Sequence, residues 1–247
     1  MNELISGFIV ENPSEAVVSI SSSNQKSIKE QEKSISNAIN KTTLWRFSTG
    51  NLNCSFFSDT FQNIFFKNSS ITGFSYLPPL FSVGYHQCRW GYKNIEDAVA
   101  TDIGFDNHDI PLDVFWFDID HNDRKHYFTW NKEYTPDKVT SFLNLLRSKK
   151  RKLVTIIDPH LSTDKDYPIS KRLVEENCVV YKDKDRKAPF VGKCWPGECV
   201  YGDFFNPRAV ELYEKEFFRK EDYFMKADNI HTWVDMNEPS VFEVIDK

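Results

Sequence analysis

From about residue 76 onward the sequence predicts an α/β fold built on a parallel sheet with helices on both faces. Two observations carry the prediction. Helix patterns alternate with short apolar runs, LFSVGYH (80–86), DVFWFDID (113–120), KLVTIID (152–158) and IHTWVDMNE (230–238). Continuous rather than alternating apolarity marks strands buried on both faces. Acidic residues also recur at the ends of these runs: Asp118 and Asp120 after the second, Asp158 after the third and Asp235 after the fourth.

The elements follow in order. Residues 1–75 have a different rhythm, in which EAVVSISSS and CSFFSDTFQNIFF are short apolar or alternating runs that suit strands. Between them lies the polar, low-complexity stretch SSSNQKSIKEQEKSISNAINK, a long connecting loop; the alternative is a surface helix with Ile28, Ile35 and Ile39 on a thin stripe. LFSVGYH is the first strand of the parallel set. Asn94 can cap a helix carrying Ile95, Ala98 and Val99. Thr135 and Pro136 start a second helix with Val139, Phe142, Leu143, Leu145 and Leu146 on its apolar face. The basic run RSKKRK that follows suits the negative end of the helix dipole. Asn206 and Pro207 start a third, along which lie Val210, Tyr213, Phe217 and Phe218.

Composition narrows the function. The formal net charge of -5 and pI near 5.7 supply no basic field for phosphates, so nucleic acid is not an expected partner. No apolar run approaches the ~20 residues of a membrane span, so a membrane is not expected either. The N-terminus lacks the basic and apolar regions of a secretory signal. Five cysteines without CxxC spacing point to free thiols rather than to zinc or a disulfide framework. Aromatic residues reach 15%, which suits a packed core or flat pocket walls.

In parallel α/β folds the C-terminal ends of all strands share one rim, where chemistry is placed. A doubly wound sheet competes with a barrel here, but no Gly-rich phosphate loop follows any run, and the chain has only 9 Gly. Converging carboxylates serve either hard cations or acid/base and nucleophilic chemistry. In glycoside hydrolysis one carboxylate attacks the anomeric carbon while a second serves the leaving oxygen, and aromatic planes carry sugar rings. Trp90, Trp116, Trp195 and Trp233 all lie near predicted strand ends or the loops after them, although pattern alone leaves Trp116 in the core.

WVDMNEPSVF, together with LPPLFSVGYHQCRWGY, DVFWFDIDHNDRKHYFTWN, LLRSKKRKLVTIIDPH and GKCWPGECVYGDFFNP in that order, resembles glycoside hydrolase family 31, in its glucosidase II and neutral α-glucosidase branch. The resemblance covers residues 71–243. It implies an α/β fold of (β/α)8 TIM-barrel type, of which about four strands are present in residues 76–247. Residues 1–75 resemble the end of an N-terminal β-sandwich with a polar insertion.

The implied activity is that of a retaining α-glucosidase, releasing terminal glucose from oligosaccharides or N-glycans through a covalent intermediate, without a cofactor or metal. By motif position Asp235 is the nucleophile, with Glu238 in support. Asp118 binds hydroxyls of the terminal glucose, Trp90, Trp195 and Met236 line the pocket, and Asp158 and His160 complete the rim. Asp120 and Val234 depart from the Glu and Asn usual at their positions, and neither change removes a reacting group.

In the family the general acid/base is an Asp on a later strand, so the expectation is that this chain lacks it and reads as part of a longer enzyme. A noncatalytic carbohydrate-binding product and an α-xyloside-type specificity are the alternatives. The same resemblance implies a noncatalytic partner subunit and an endoplasmic reticulum lumen location for a glucosidase II-type enzyme.

Overall fold

The computed structural model describes residues 5–11, 16–23, 40–47, 52–218 and 221–245. The chain divides into two compact units, Met1–Leu77 and Pro78–Lys247. The predicted loop or helix over residues 24–39 lies outside the described residues.

The first unit contains β1 (Ile5–Glu11), β2 (Ala16–Ser23), β3 (Asn40–Phe47), β4 (Asn53–Asp59) and α1 (Phe61–Thr72). β1 pairs antiparallel with β4 and β2 with β3. CSFFSDTFQNIFF is therefore not strand throughout: it turns helical at Phe61. The local reason is spacing, since Phe61, Ile64 and Phe65 stand at i, i+3 and i+4, and the rings of Phe61 and Phe65 lie 4.7 Å apart. Asp59 fixes the junction by accepting from Thr60 N at 2.8 Å and from Lys67 Nζ at 2.7 Å.

The second unit runs β5 (His86–Arg89), α2 (Ile95–Asn107), β6 (Val114–Phe117), α3 (Pro136–Ser148), β7 (Lys152–Ile157), β8 (His160–Ser162), α4 (Pro168–Glu175), β9 (Gly192–Cys194), β10 (Gly197–Tyr201), α5 (Pro207–Leu212), α6 (Glu221–Phe224), β11 (Ile230–Val234) and β12 (Glu243–Val244). The parallel sheet has the order β11-β7-β6-β5, so strands successive in the α/β alternation are neighbours in space. That order is the start of a barrel wall rather than of a doubly wound sheet, in which the order reverses.

The first strand sits later than the sequence predicts. Leu80–Val83 form a 3-10 turn, and the strand begins at His86. Asp113 decides this: its Oδ2 accepts from Tyr85 N at 3.1 Å while its backbone N donates to Tyr85 O at 3.0 Å, which starts the β5/β6 ladder there. Asn94 caps α2 as expected, accepting from Asp97 N at 2.8 Å. α3 starts at Pro136 and buries Val139, Phe142, Leu143 and Leu146 against Phe115, Phe117 and Leu153 of the sheet. Each such fully buried side chain contributes roughly 1.5–3 kcal/mol. Phe115 and Phe142 meet edge to face, with centroids 5.4 Å apart.

The basic run after α3 has a role beyond the one the dipole argument assigns. Lys149 and Arg151 both reach back to α2, each at 2.5 Å from the fully buried Asp102, and both also pair with Asp106. The third helix is α-helical only to Leu212 and continues as a π turn over Tyr213–Phe217. This turn buries Tyr213 and Phe217 and leaves Val210 exposed.

After β7 the chain departs from plain α/β alternation. β8, β9, β10 and β12 make an antiparallel sheet of order β12-β9-β10-β8. β12 returns the segment after β11 to the β9/β10 hairpin, with Phe242 N donating to Lys193 O at 2.9 Å and Tyr201 Oη to Ser240 O at 2.9 Å.

Candidate active site

Four residues stand in the first position after the four parallel strands: Trp90 after β5, Asp118 after β6, Asp158 after β7 and Asp235 after β11. Because the strands are parallel neighbours, these residues follow one another along a single rim. The three carboxyls are close enough to influence one another. Asp118 is pushed above the ordinary carboxylate range by its partial burial, and further by the charges of Asp120 and Asp235. Asp158 is pushed up to about 7, first by burial and then by Asp235 and Asp118, against a lowering hydrogen bond from Tyr127.

The neighbours of each acid differ. Asp118 Oδ1 accepts from Ile119 N at 2.7 Å. Its backbone carbonyl lies 2.7 Å from Nδ1 of the buried His121, whose Nε2 lies 2.8 Å from Tyr223 Oη. Burial pushes His121 down to about 4, so it is a neutral ring joining the end of β6 to the helix before β11.

Asp120, counted with the converging acids on sequence, holds a loop instead: its Oδ2 accepts from Gly91 N at 2.6 Å, and Gly91 has φ +88° in the turn that presents Trp90. Trp90 is 67% exposed.

Asp235 is half-buried, and its backbone carbonyl accepts from Asn237 Nδ2 at 2.8 Å. Met236 has a left-handed backbone, φ +57°, which turns the chain out of β11. Its sulfur lies 3.0 Å from Trp195 Nε1. Trp195 comes from the turn between β9 and β10, meets Phe242 edge to face at 4.9 Å, and has Lys125 Nζ 5.5 Å from its ring centre. Glu238 is exposed, and its side chain has no polar contact among those of the described residues.

Asp158 and His160, expected to complete the rim, are 1% and 0% exposed, so direct sugar contact is closed to them in this structure. They lie behind the rim with Tyr127. An apolar groove of about 400 Å³, lined by Ile157, Phe204, Val210, Tyr213, Phe218 and Val234, meets the site at Asp158 and Asn237.

The sheet's inner face is aromatic. Trp116 Nε1 donates to His86 Nδ1 at 2.9 Å, and Trp116 meets Trp233 with centroids 5.3 Å apart. Trp116 thus stands on the face opposite the Phe115 and Phe117 cluster. Sequence reasoning missed His121, Tyr127 and Tyr223. Each makes its contact across 30 or more residues, or through its own backbone loop, so no local spacing could have revealed them.

Comparison with known proteins agrees with this fold. The model of the glycosyl hydrolases family 31 TIM-barrel domain matches residues 75–247. Neutral alpha-glucosidase C of Homo sapiens is 45% identical over 181 residues, 73% of this chain and 19% of its own length. Glucosidase 2 subunit alpha of Schizosaccharomyces pombe is 41% identical over 206 residues, 81% of this chain and 22% of its own length. The crystal structure of an ER glucosidase II heterodimeric complex, of catalytic subunit and binding domain of regulatory subunit, superposes with a TM-score of 0.81 at 35% identity. It covers 96% of this chain and 25% of that one. The chain therefore spans about a fifth of the length of the curated relatives it matches. With the family model covering the whole parallel sheet and every rim residue, the chain belongs to glycosyl hydrolase family 31.

Proposed function

We propose that this chain carries the nucleophile side of a retaining α-glucosidase site. The observation that supports it best is the placement of Asp235, half-buried at the end of β11, on the same rim as Asp118 and Trp90. In this reading Asp235 attacks the anomeric carbon of a terminal α-glucoside. The bond to the leaving oxygen breaks and a covalent glycosyl-enzyme forms, which water then opens.

Asp118, with one oxygen held by Ile119 N, uses the other to accept from glucose hydroxyls. Trp90 and Trp195 supply ring-stacking walls, and Met236, set by its contact with Trp195, lines the same subsite. Glu238 supports from the loop after Asp235. Asp158 and His160 brace the rim from behind. The family resemblance assigns the leaving-group proton to an Asp on a strand after the nucleophile, and no residue described above takes that role. The reading extends to oligosaccharide or N-glycan substrates, to a noncatalytic partner subunit and to the endoplasmic reticulum lumen, because the matching relatives are of glucosidase II type.

A covalent-labelling experiment tests it. A 5-fluoro-α-glucosyl fluoride has a leaving group that needs little protonation and so probes Asp235 without an acid. Intact and peptide mass spectrometry are expected to show one glycosyl adduct on the peptide holding Asp235, absent in Asp235→Asn. An adduct on another residue, or labelling by the xylosyl analogue alone, would overturn the assignment.

A further inference from the structure

Behind the rim lies a buried group whose hydrogen bonds fix more than its position. Tyr127 Oη makes a short contact with Asp158 Oδ2 and lies 2.8 Å from His160 Nε2, and Nε2 is 3.5 Å from the same carboxyl oxygen. Tyr127 and His160 are both 0% exposed and Asp158 is 1% exposed. Asp158 Oδ1 and His160 Nδ1 have no hydrogen-bond partner among the described residues.

A phenol carries one proton, so a hydroxyl bonded to both groups must donate to one and accept from the other. With a neutral ring, and with any carboxyl proton on Oδ2, the oxygen that meets the phenol, two arrangements satisfy this. In one, Asp158 is a carboxylic acid donating to Tyr127, Tyr127 donates to Nε2, and the imidazole proton is on Nδ1. In the other, Asp158 is a carboxylate accepting from Tyr127, and Nε2–H donates to the phenol oxygen.

We propose that Tyr127 is a positioning residue that joins Asp158 and His160 into one proton-sharing unit beside Asp235, in which loss of one proton reverses both hydrogen bonds and changes the His160 tautomer. The balance is complete: the carboxyl proton passes to the Tyr127 oxygen, the phenol proton passes to Nε2, and the Nδ1 proton leaves to solvent.

The groups facing the unit favour this over a charged pair. Asp118 and Asp235, from β6 and β11, oppose a charge on Asp158. Cys194 of β9 and Cys199 of β10 face Tyr127, and burial raises both thiols, Cys199 to about 12, so both are neutral near pH 7. Tyr201 of β10 presents its ring 6.4 Å from that of His160 and is likewise raised by burial. Burial pushes His160 down to about 4, so the proton held near neutrality belongs to the carboxyl and not to the ring. The inference uses the glycosidase reading only for its consequence. The acid form leaves Asp235 without a charged neighbour on the adjoining strand, and the base form adds one.

NMR of the chain labelled with ¹⁵N-histidine and ¹³C-aspartate tests the unit without any turnover, so failure of the glycosidase reading and failure of this one are separate results. His160→Gln and Asp158→Asn identify the resonances among six histidines. In the wild type, His160 is expected to stay neutral while its tautomer passes from Nδ1–H to Nε2–H with the same midpoint as the Asp158 carboxyl. In Tyr127→Phe the two events should separate, Asp158 keeping its proton to higher pH because its anion has lost a donor. A tautomer that does not change while Asp158 titrates, or an Asp158 that titrates in the ordinary carboxylate range, overturns the proposal. Those wild-type results decide it even if Tyr127→Phe does not fold.

Discussion

Replacing Asp158 with Asn should change how stability depends on pH, and the size of the change follows from its surroundings. The carboxyl moves from 3.8 to about 7 in a site 1% exposed. A shift of one unit corresponds to about 1.36 kcal/mol, so ionised Asp158 costs the fold about 4 kcal/mol relative to its neutral form.

The sign follows from proton binding. Between about pH 4 and 7 the native state keeps a proton that the unfolded chain has released, so stability falls as pH rises through that window and levels off above it. Asn cannot ionise, is nearly the same size, and can accept from Tyr127. Wild type minus Asp158→Asn should therefore decline by about 1.4 kcal/mol per pH unit from about pH 4 to about pH 7, and be flat on either side.

Urea unfolding of both proteins across this range measures the difference. Subtraction also removes the opposing contribution of His121, pushed down to about 4, whose stability is lost as pH falls. A wild type minus variant difference that stays flat across the window would refute the argument that burial beside Asp118 and Asp235 keeps Asp158 protonated.

Two further substitutions probe how the sheet is held. A Cβ at Gly84 would lie 2.1 Å from Asp113 Oδ2, the group that anchors Tyr85 N, so Gly84→Ala should cost about 1–3 kcal/mol in urea unfolding. Adding Asp113→Ala should recover the steric part of that loss. Asp102→Ala removes a fully buried carboxylate shared by Lys149 and Arg151, while Asp106 still holds both cations. A loss of about 3 kcal/mol is expected, at the lower end for breaking a buried pair, and it should persist in high salt because the pair is out of reach of mobile ions.

Much of this protein is legible without coordinates. The alternation of apolar runs with capped helices predicts the parallel sheet, because its central strands β6 and β7, covered on both faces, carry few polar residues before their ends, whereas the edge strand β5, HQCR, is polar. The acids at those ends predict the rim for the same reason. Asn94 and Pro136 mark their helices because the first turn has donors that only a cap or a missing N–H can resolve.

Other features depended on the tertiary structure. The first strand starts at His86 because Asp113, 27 residues further on, pairs with Tyr85, and residues 80–83 had enough apolarity to suit either a strand or a turn. Lys149 and Arg151 are fixed by Asp102 across the fold, a partner that the dipole reading did not show, since a buried carboxylate holds them more strongly than a diffuse and solvent-screened field. The sequence by itself determined which chemical groups reach the rim. Whether a given acid stays half-buried like Asp235, holds a loop like Asp120 or is fully buried like Asp158 was decided by packing across distant segments, which sets the desolvation and hydrogen bonding of each carboxyl.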